Sequence, residues 1–160
     1  MSDKIKTCLW FATEAEEAAA LYTSLIPNSR IDHVQRSPAD NPGGSKGSVL
    51  VVEFTLAGRA FMGLNGGRDE PHSNKISTSV SCEDQAETDR MWEALLADGG
   101  KPQACGWLND RWGHAWQIVP KQLTALMSDP DPARAQRAMQ AMMTMIKIDV
   151  AALISAADAG

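Results

Sequence analysis

KISTSVSCEDQAETDRMWEALL, Lys75 to Leu96, decides how the rest of the chain is read. In its first part Ile76, Val80 and Cys82 fall on one side of an extended chain and Ser77, Ser79 and Ser81 on the other. That alternation predicts a strand with one apolar and one hydroxyl-bearing face. Asp84, followed three residues later by Glu87, then makes a capping box, and Thr88, Met91, Trp92 and Leu95 share one helical face. The same order opens the chain. Ile5 to Phe11 reads as a strand, Thr13 with Glu16 as a capping box, and Ala18, Leu21, Tyr22 and Leu25 as an apolar stripe that stops at Pro27-Asn28. Sliding the first copy along by 71 residues (15 to 86) lays Ala15-Glu16 over Ala86-Glu87, Leu21 over Trp92 and Leu25 over Leu96. An internal repeat of one strand-helix unit follows.

Outward from the repeat, residues 30–36 form a further strand, and residues 49–56 and 59–64 a hairpin turning at Ala57-Gly58. Ser37 to Ser48, SPADNPGGSKGS, has the Pro, Gly and Ser content of a mobile lid or connector. In the second copy Gly99-Gly100 ends the helix. CGWLNDRWGHAWQIVP, Cys105 to Pro120, supplies the remaining strands, with Asn109-Asp110 or Trp112-Gly113 as the turn. The expected fold is therefore α+β: paired βαβββ modules in one domain over residues 1–160, module one at about 3–66, module two at about 75–120, and a helical tail at about 121–158. Asp131-Pro132 starts a tail helix whose Ala135, Ala138, Met139, Met142 and Ile146 form a Met-rich stripe, expected to be buried on the body or on a second subunit.

At 160 residues the chain is long enough to bury a core without staples. Its net charge of -5 and the lack of any basic stripe give no electrostatic reason to expect nucleic acid. No stretch approaches the ~20 apolar residues of a membrane span. Cys8, Cys82 and Cys105 are odd in number and have no CxxC or Cys/His spacing, so neither disulfides nor structural zinc are indicated, and a reducing cytoplasm is the expected location.

The repeated unit, with LWFATEAEEAAALYTSLIPNSRI, FMGLNGG, CGWLNDRWGHAWQIVP and SDPDPARAQRAMQAMM, resembles the PhnB-like branch of the vicinal-oxygen-chelate (glyoxalase/bleomycin-resistance) superfamily over nearly the whole chain. The resemblance implies two modules whose curved sheets enclose a cleft, and a homodimer with the C-terminal helices as interface elements. Members often carry the label demethylubiquinone methyltransferase. The sequence lends that activity no support, because Phe11 leads into ATEAEE rather than a glycine-rich turn. The superfamily's enzymes hold a divalent ion with His, Glu or Gln from the first and last strand of each module. Here those positions fall on Lys6, Thr7 or Cys8, on Gly63, on or beside Ser77, and on Gln117, so no tightly held metal is expected. His33, His72 and His114 show no ligand spacing, and Glu53 is read as edge or solvent-facing.

Ser77 and Ser79 of the hydroxyl face, and Cys8 where the repeat aligns it with Ser79, are expected to line the cleft with Asn65, Trp107 and Gln117. Trp112 and Trp116 are expected to pack structurally. Aromatic surface mixed with amide, hydroxyl and thiol groups suits a small organic ligand. Two readings stay open: a metal-independent binding protein, or a metal-dependent lyase, isomerase or dioxygenase.

Overall fold

In a computed structural model, residues 4–160 are described, and the chain divides into a unit ending at Pro71 and a unit spanning His72–Gly160. The first unit runs β1 (Thr7–Phe11), α1 (Ala15–Leu25), β2 (Arg30–Arg36), β3 (Val49–Leu56) and β4 (Arg59–Asn65). Its sheet order is β1-β4-β3-β2, parallel between β1 and β4 and antiparallel elsewhere. Alternation sends Phe11, Val52, Phe54, Leu56 and Phe61 to one face, where they are buried with Ala15, Ala18, Ala19 and Tyr22 of α1. Each large side chain hidden this way is worth ~1.5–3 kcal/mol. The small residues set the distance: a Cβ on Gly63 would lie 3.0 Å from that of Ala15. Ala57 and Gly58, at φ 47° and 80°, make the two-residue hairpin turn that the sequence predicts.

Two expectations in this unit are corrected. Thr13 does not cap α1. The helix begins at Ala15, and the Asn65 side chain from the end of β4 supplies the cap, its Oδ1 accepting from the Ala15 N–H at 2.9 Å. Ser37–Ser48 carries its own hydrogen-bonded fold: Ser37 is buried, its N–H donates to Ser48 O, Asn41 and Gly44 exchange backbone bonds, and Asn41 Nδ2 donates to Ser37 Oγ. Composition marks this stretch as loop, but its Ser and Asn side chains satisfy the backbone locally.

The second unit runs β5 (Thr78–Cys82), α2 (Gln85–Leu96), β6 (Lys101–Pro102), β7 (Trp107–Asn109), β8 (Ala115–Pro120), α3 (Lys121–Met127), α4 (Pro132–Met142) and α5 (Val150–Asp158). Its sheet order, β5-β8-β7-β6, repeats that of the first unit. The α2 capping box forms as read, with Asp84 accepting from Glu87 N and Glu87 accepting from Glu83 N. Ile76 lies outside β5 and is 77% exposed, so only Val80 and Cys82 carry the apolar face.

In the tail, Leu123, Leu126, Ala138, Ile148, Leu153 and Ala157 form a buried cluster with Ala141, Met142 and Met145 against it. The Met-rich stripe is therefore rotated from its expected position. Ala138 and Met142 turn inward, whereas Met139, Met143 and Ile146 are half or more exposed. Among the described residues no helix is long and apolar enough to cross a membrane.

Candidate functional site

The tryptophan-rich run divides into a scaffold and a displayed surface. Asp110, 3% exposed, organises the turn between β7 and β8: its Oδ1 accepts from Trp112 N and His114 N, both at 3.0 Å, and its Oδ2 from Trp116 Nε1 at 2.9 Å. Trp116 is buried on the α2 side with Leu108 and Ile118. Trp112 is half-buried, with the Arg111 guanidinium 4.3 Å above its ring. Both tryptophans pack, as the sequence indicated.

The intervening residues point the other way. Gln117 pairs with Ser79 of β5 on one side and with Trp107 of β7 on the other, and Gln103 N donates to Trp107 O beyond them. Side chains in cross-strand register share a face, so Ser79, Gln117, Trp107 and Gln103 form one row on the sheet face turned away from α2. Gln117 Nε2 donates to Ser77 Oγ at 2.8 Å. Four of the six predicted residues, Ser77, Ser79, Trp107 and Gln117, are thus brought together.

The sequence reading missed Gln103, Asn109 and Asn74. Gln103 and Asn74 bond each other through both amides, at 2.7 and 3.3 Å, and Gln103 Nε2 also donates to Asn109 Oδ1. Asn109 Nδ2 in turn donates to Gly113 O. The β7 alternation that placed Trp107 would also have placed Asn109. Gln103 and Asn74 lie outside predicted strands and left no periodic signal.

In the first unit Cys8 pairs with Met62, Met62 with Glu53, and Glu53 with His33, a second row on the face away from α1. Lys6 Nζ lies 2.5 Å from Glu53 Oε1, so the carboxylate read as edge or solvent-facing is held in an ion pair on this face. Cys8 is exposed as a residue, yet partial burial of its thiol raises the pKa, leaving less thiolate near neutrality. Asn65 is not in this row. It is 4% exposed on the α1 side, its Oδ1 taken by Ala15 N and its Nδ2 by Val49 O.

The strand registers also correct a correspondence between the modules. Ser79, the repeat partner of Cys8, pairs with Gln117, and Cys8 pairs with Met62, so Met62 rather than Gly63 is the counterpart of Gln117. At the four positions that hold a divalent ion in the superfamily's enzymes, this chain offers a thiol, a thioether, a serine hydroxyl and an amide. That donor set does not suit a tightly bound divalent ion, which takes several carboxylate, imidazole or thiolate ligands. Among the described residues no three His, Cys, Asp or Glu side chains are grouped to hold a metal.

Residues 3–119 match the family described as 3-demethylubiquinone-9 3-methyltransferase. The structure of a PhnB protein from Bacillus cereus is 33% identical, with a TM-score of 0.65 over 74% of this chain and 99% of its own. A protein from Pseudomonas aeruginosa shares the fold at 22% identity and a TM-score of 0.59, over 74% of this chain and 98% of its own. The genomically encoded fosfomycin resistance protein FosX from Listeria monocytogenes is 15% identical, with a TM-score of 0.49 over 75% of this chain and 93% of its own. No curated protein matches. The family match ends at Val119, so α3, α4 and α5 lie beyond it.

Proposed function

Because the chain belongs to the 3-demethylubiquinone-9 3-methyltransferase family, whose PhnB-like branch shares the glyoxalase-type fold, we propose that it binds a small organic molecule on a partly polar sheet face, without a tightly held metal. The observation that carries this reading is the row Ser79, Gln117 and Trp107, in which a hydroxyl, an amide and an indole share one face in register. Such a face pairs an apolar platform with a few directional hydrogen-bonding groups, the usual make-up of a small-molecule site. Cys8 lies on the corresponding face of the first unit, in a separate row with Met62. The role first considered for Asn65 is given up, since both ends of its amide are occupied inside the fold.

Methyl transfer, which the family description names, has no support in the local structure. A bound S-adenosylmethionine is usually met by a glycine-rich turn after a first strand, and here Ala12, Thr13 and Glu14 join β1 to α1. The three free cysteines are consistent with a reducing cytoplasm. Exposed Met139, Met143 and Ile146 favour a homodimer through the tail.

Two measurements test this reading. Thermal-shift screening of neutral and anionic aromatic compounds should give at least one saturable rise in Tm that Trp107→Ala abolishes; no such rise across the screen would sink the reading. Metal analysis of protein purified without an affinity tag should find less than stoichiometric Zn, Ni, Mn and Fe. A stoichiometric ion would favour the lyase, isomerase or dioxygenase alternative, with Gln117 as an amide ligand.

A further inference from the structure

The segment leading into β5 does not leave the Gln117–Trp107–Gln103 row bare. Its Ser77 hydroxyl accepts from Gln117 Nε2 at one end of the row. At the other end, the Asn74 carboxamide forms a two-way pair with Gln103, Nδ2 donating to Oε1 at 2.7 Å and Oδ1 accepting from Nε2 at 3.3 Å. Between these two attachments lies the register position of Trp107, neighbour of Gln117 on one side and of Gln103 on the other. Residues 74–77 therefore span the row from one glutamine to the other.

The chemistry of those attachments identifies what could replace them. Gln103 is met by an adjacent donor and acceptor on one planar group, the hydrogen-bonding edge of a carboxamide. Gln117 is met by a neutral hydroxyl. Neither attachment brings a formal charge, and Trp107 offers a flat apolar surface beside them. Resting on the ligand-binding reading above, we infer that residues 74–77 are a displaceable strap, and that the ligand is a flat, uncharged ring carrying a cis-amide edge, such as a lactam or cyclic urea. The ring lies on Trp107, and its N–H and C=O take the places of the Asn74 amide groups on Gln103. Binding releases Asn74 and Ser77 together, and their hydrogen bonds, exposed at Asn74 and half-buried at Ser77, are the barrier the ligand must outcompete.

Removing the strap's side chains should consequently tighten binding. With 2-pyridone as the probe, Asn74→Ala/Ser77→Ala should bind about 10-fold tighter than the unmodified chain, the equivalent of the three lost neutral hydrogen bonds at the low end of their net worth. Affinity is read by isothermal titration, and the site by the Trp107 indole N–H resonance, assigned from its loss in Trp107→Phe. Gln103→Ala should weaken 2-pyridone about 10-fold or more while leaving the second unit folded, since it removes the bonds to exposed Asn74 and to one side of buried Asn109, whose Nδ2 still donates to Gly113 O. Equal affinity in Asn74→Ala/Ser77→Ala and the unmodified chain, or undiminished affinity in Gln103→Ala, overturns the inference. Benzoate, flat but anionic and without a cis-amide edge, separates the two levels of the argument. If it shifts the Trp107 resonance and 2-pyridone does not, the strap and ligand class are wrong and the binding reading survives; if neither probe shifts Trp107 in any of these proteins, the inference is overturned and the thermal-shift screen decides the binding reading by itself.

Discussion

Asp110→Ala should unfold the second unit's sheet far more readily than any change in the displayed row. The carboxylate is 3% exposed and accepts from two backbone N–H groups at 3.0 Å and from the Trp116 indole at 2.9 Å. Hydrogen bonds to a charged acceptor are worth about 1.5–3 kcal/mol each, and a buried donor left unmatched costs about 1–3 kcal/mol. Water can reach the half-buried turn at Trp112 and His114, which recovers part of the loss there. It cannot reach Trp116, which is 1% exposed. The expected cost is about 3–5 kcal/mol, among the larger effects of single substitutions. Asp110→Asn should cost about half as much, because an amide oxygen still serves the turn while its NH2 opposes the indole N–H. In the Trp116→Phe background, Asp110→Ala should cost markedly less than in the unmodified chain, since the unmatched donor is gone. Urea denaturation followed by tryptophan fluorescence reads this unit well, because Trp92, Trp107, Trp112 and Trp116 of the five tryptophans lie in it. A loss below about 1 kcal/mol for Asp110→Ala would refute the view that this carboxylate holds the turn together.

Three further outcomes follow from the same geometry. Asn65→Ala should destabilise the first unit by about 1–3 kcal/mol in chemical denaturation, with Asn65→Asp intermediate because it keeps the acceptor for Ala15 N and loses the donor to Val49 O. Burial, with a smaller push from Glu87, raises the Cys82 thiol to about 11. A folded pKa above the unfolded value stabilises fully below the unfolded value and is lost as pH rises, so the chain should lose about 2–3 kcal/mol between roughly pH 9 and 11, a slope that Cys82→Ala flattens. Asp89 is lowered chiefly by its hydrogen bond from Lys147 and then by Gln85. That contribution is present above the ordinary carboxylate value and lost as pH falls through the lower folded one, so acid should loosen the strand-like contact in which Cys105 and Gly106 N–H donate to Met145 and Ile146 O, read as faster amide exchange at those two residues.

Alternation and helical spacing were enough to recover both strand-helix units, the hairpin at Ala57-Gly58, the Asp84 and Asp131 caps and the opposite directions of Trp116 and Gln117. These are local signals, and nothing distant competes with them. What failed depended on distant partners. Asn65 ends a strand in either reading, but only the fold brings the bare N–H of Ala15 to it, fifty positions away in sequence. Equating Gly63 with Gln117 was wrong by one residue, and a slip of one in a strand transfers a side chain to the other face. The Met-rich stripe had the right period and the wrong phase, because Ala138 and Met142 compete with Met139 and Ile146 for the same contact and the tail cluster selects the former pair.

The corrected register bears on which unit suits the proposed ligand. Two copies of one unit give two equivalent cross-strand rows, Cys8, Met62, Glu53 and His33 in the first and Ser79, Gln117, Trp107 and Gln103 in the second. The first row contains a carboxylate already held by Lys6 and a thiol whose pKa is raised, so its charged groups satisfy each other and its nucleophile is muted. Every polar member of the second row is neutral, and two of them are engaged by a segment whose hydrogen bonds are largely solvent-exposed. Exposed neutral hydrogen bonds are the weakest kind to hold a surface closed, whereas a short ion pair on a half-buried face resists displacement more strongly. On the proposed reading, a neutral molecule would therefore find its opening in the second unit. Placing a charge there, as in Gln103→Glu, should favour a cationic probe over 2-pyridone at Trp107; unchanged preference would mean that the neutrality of the row plays no part in its selectivity.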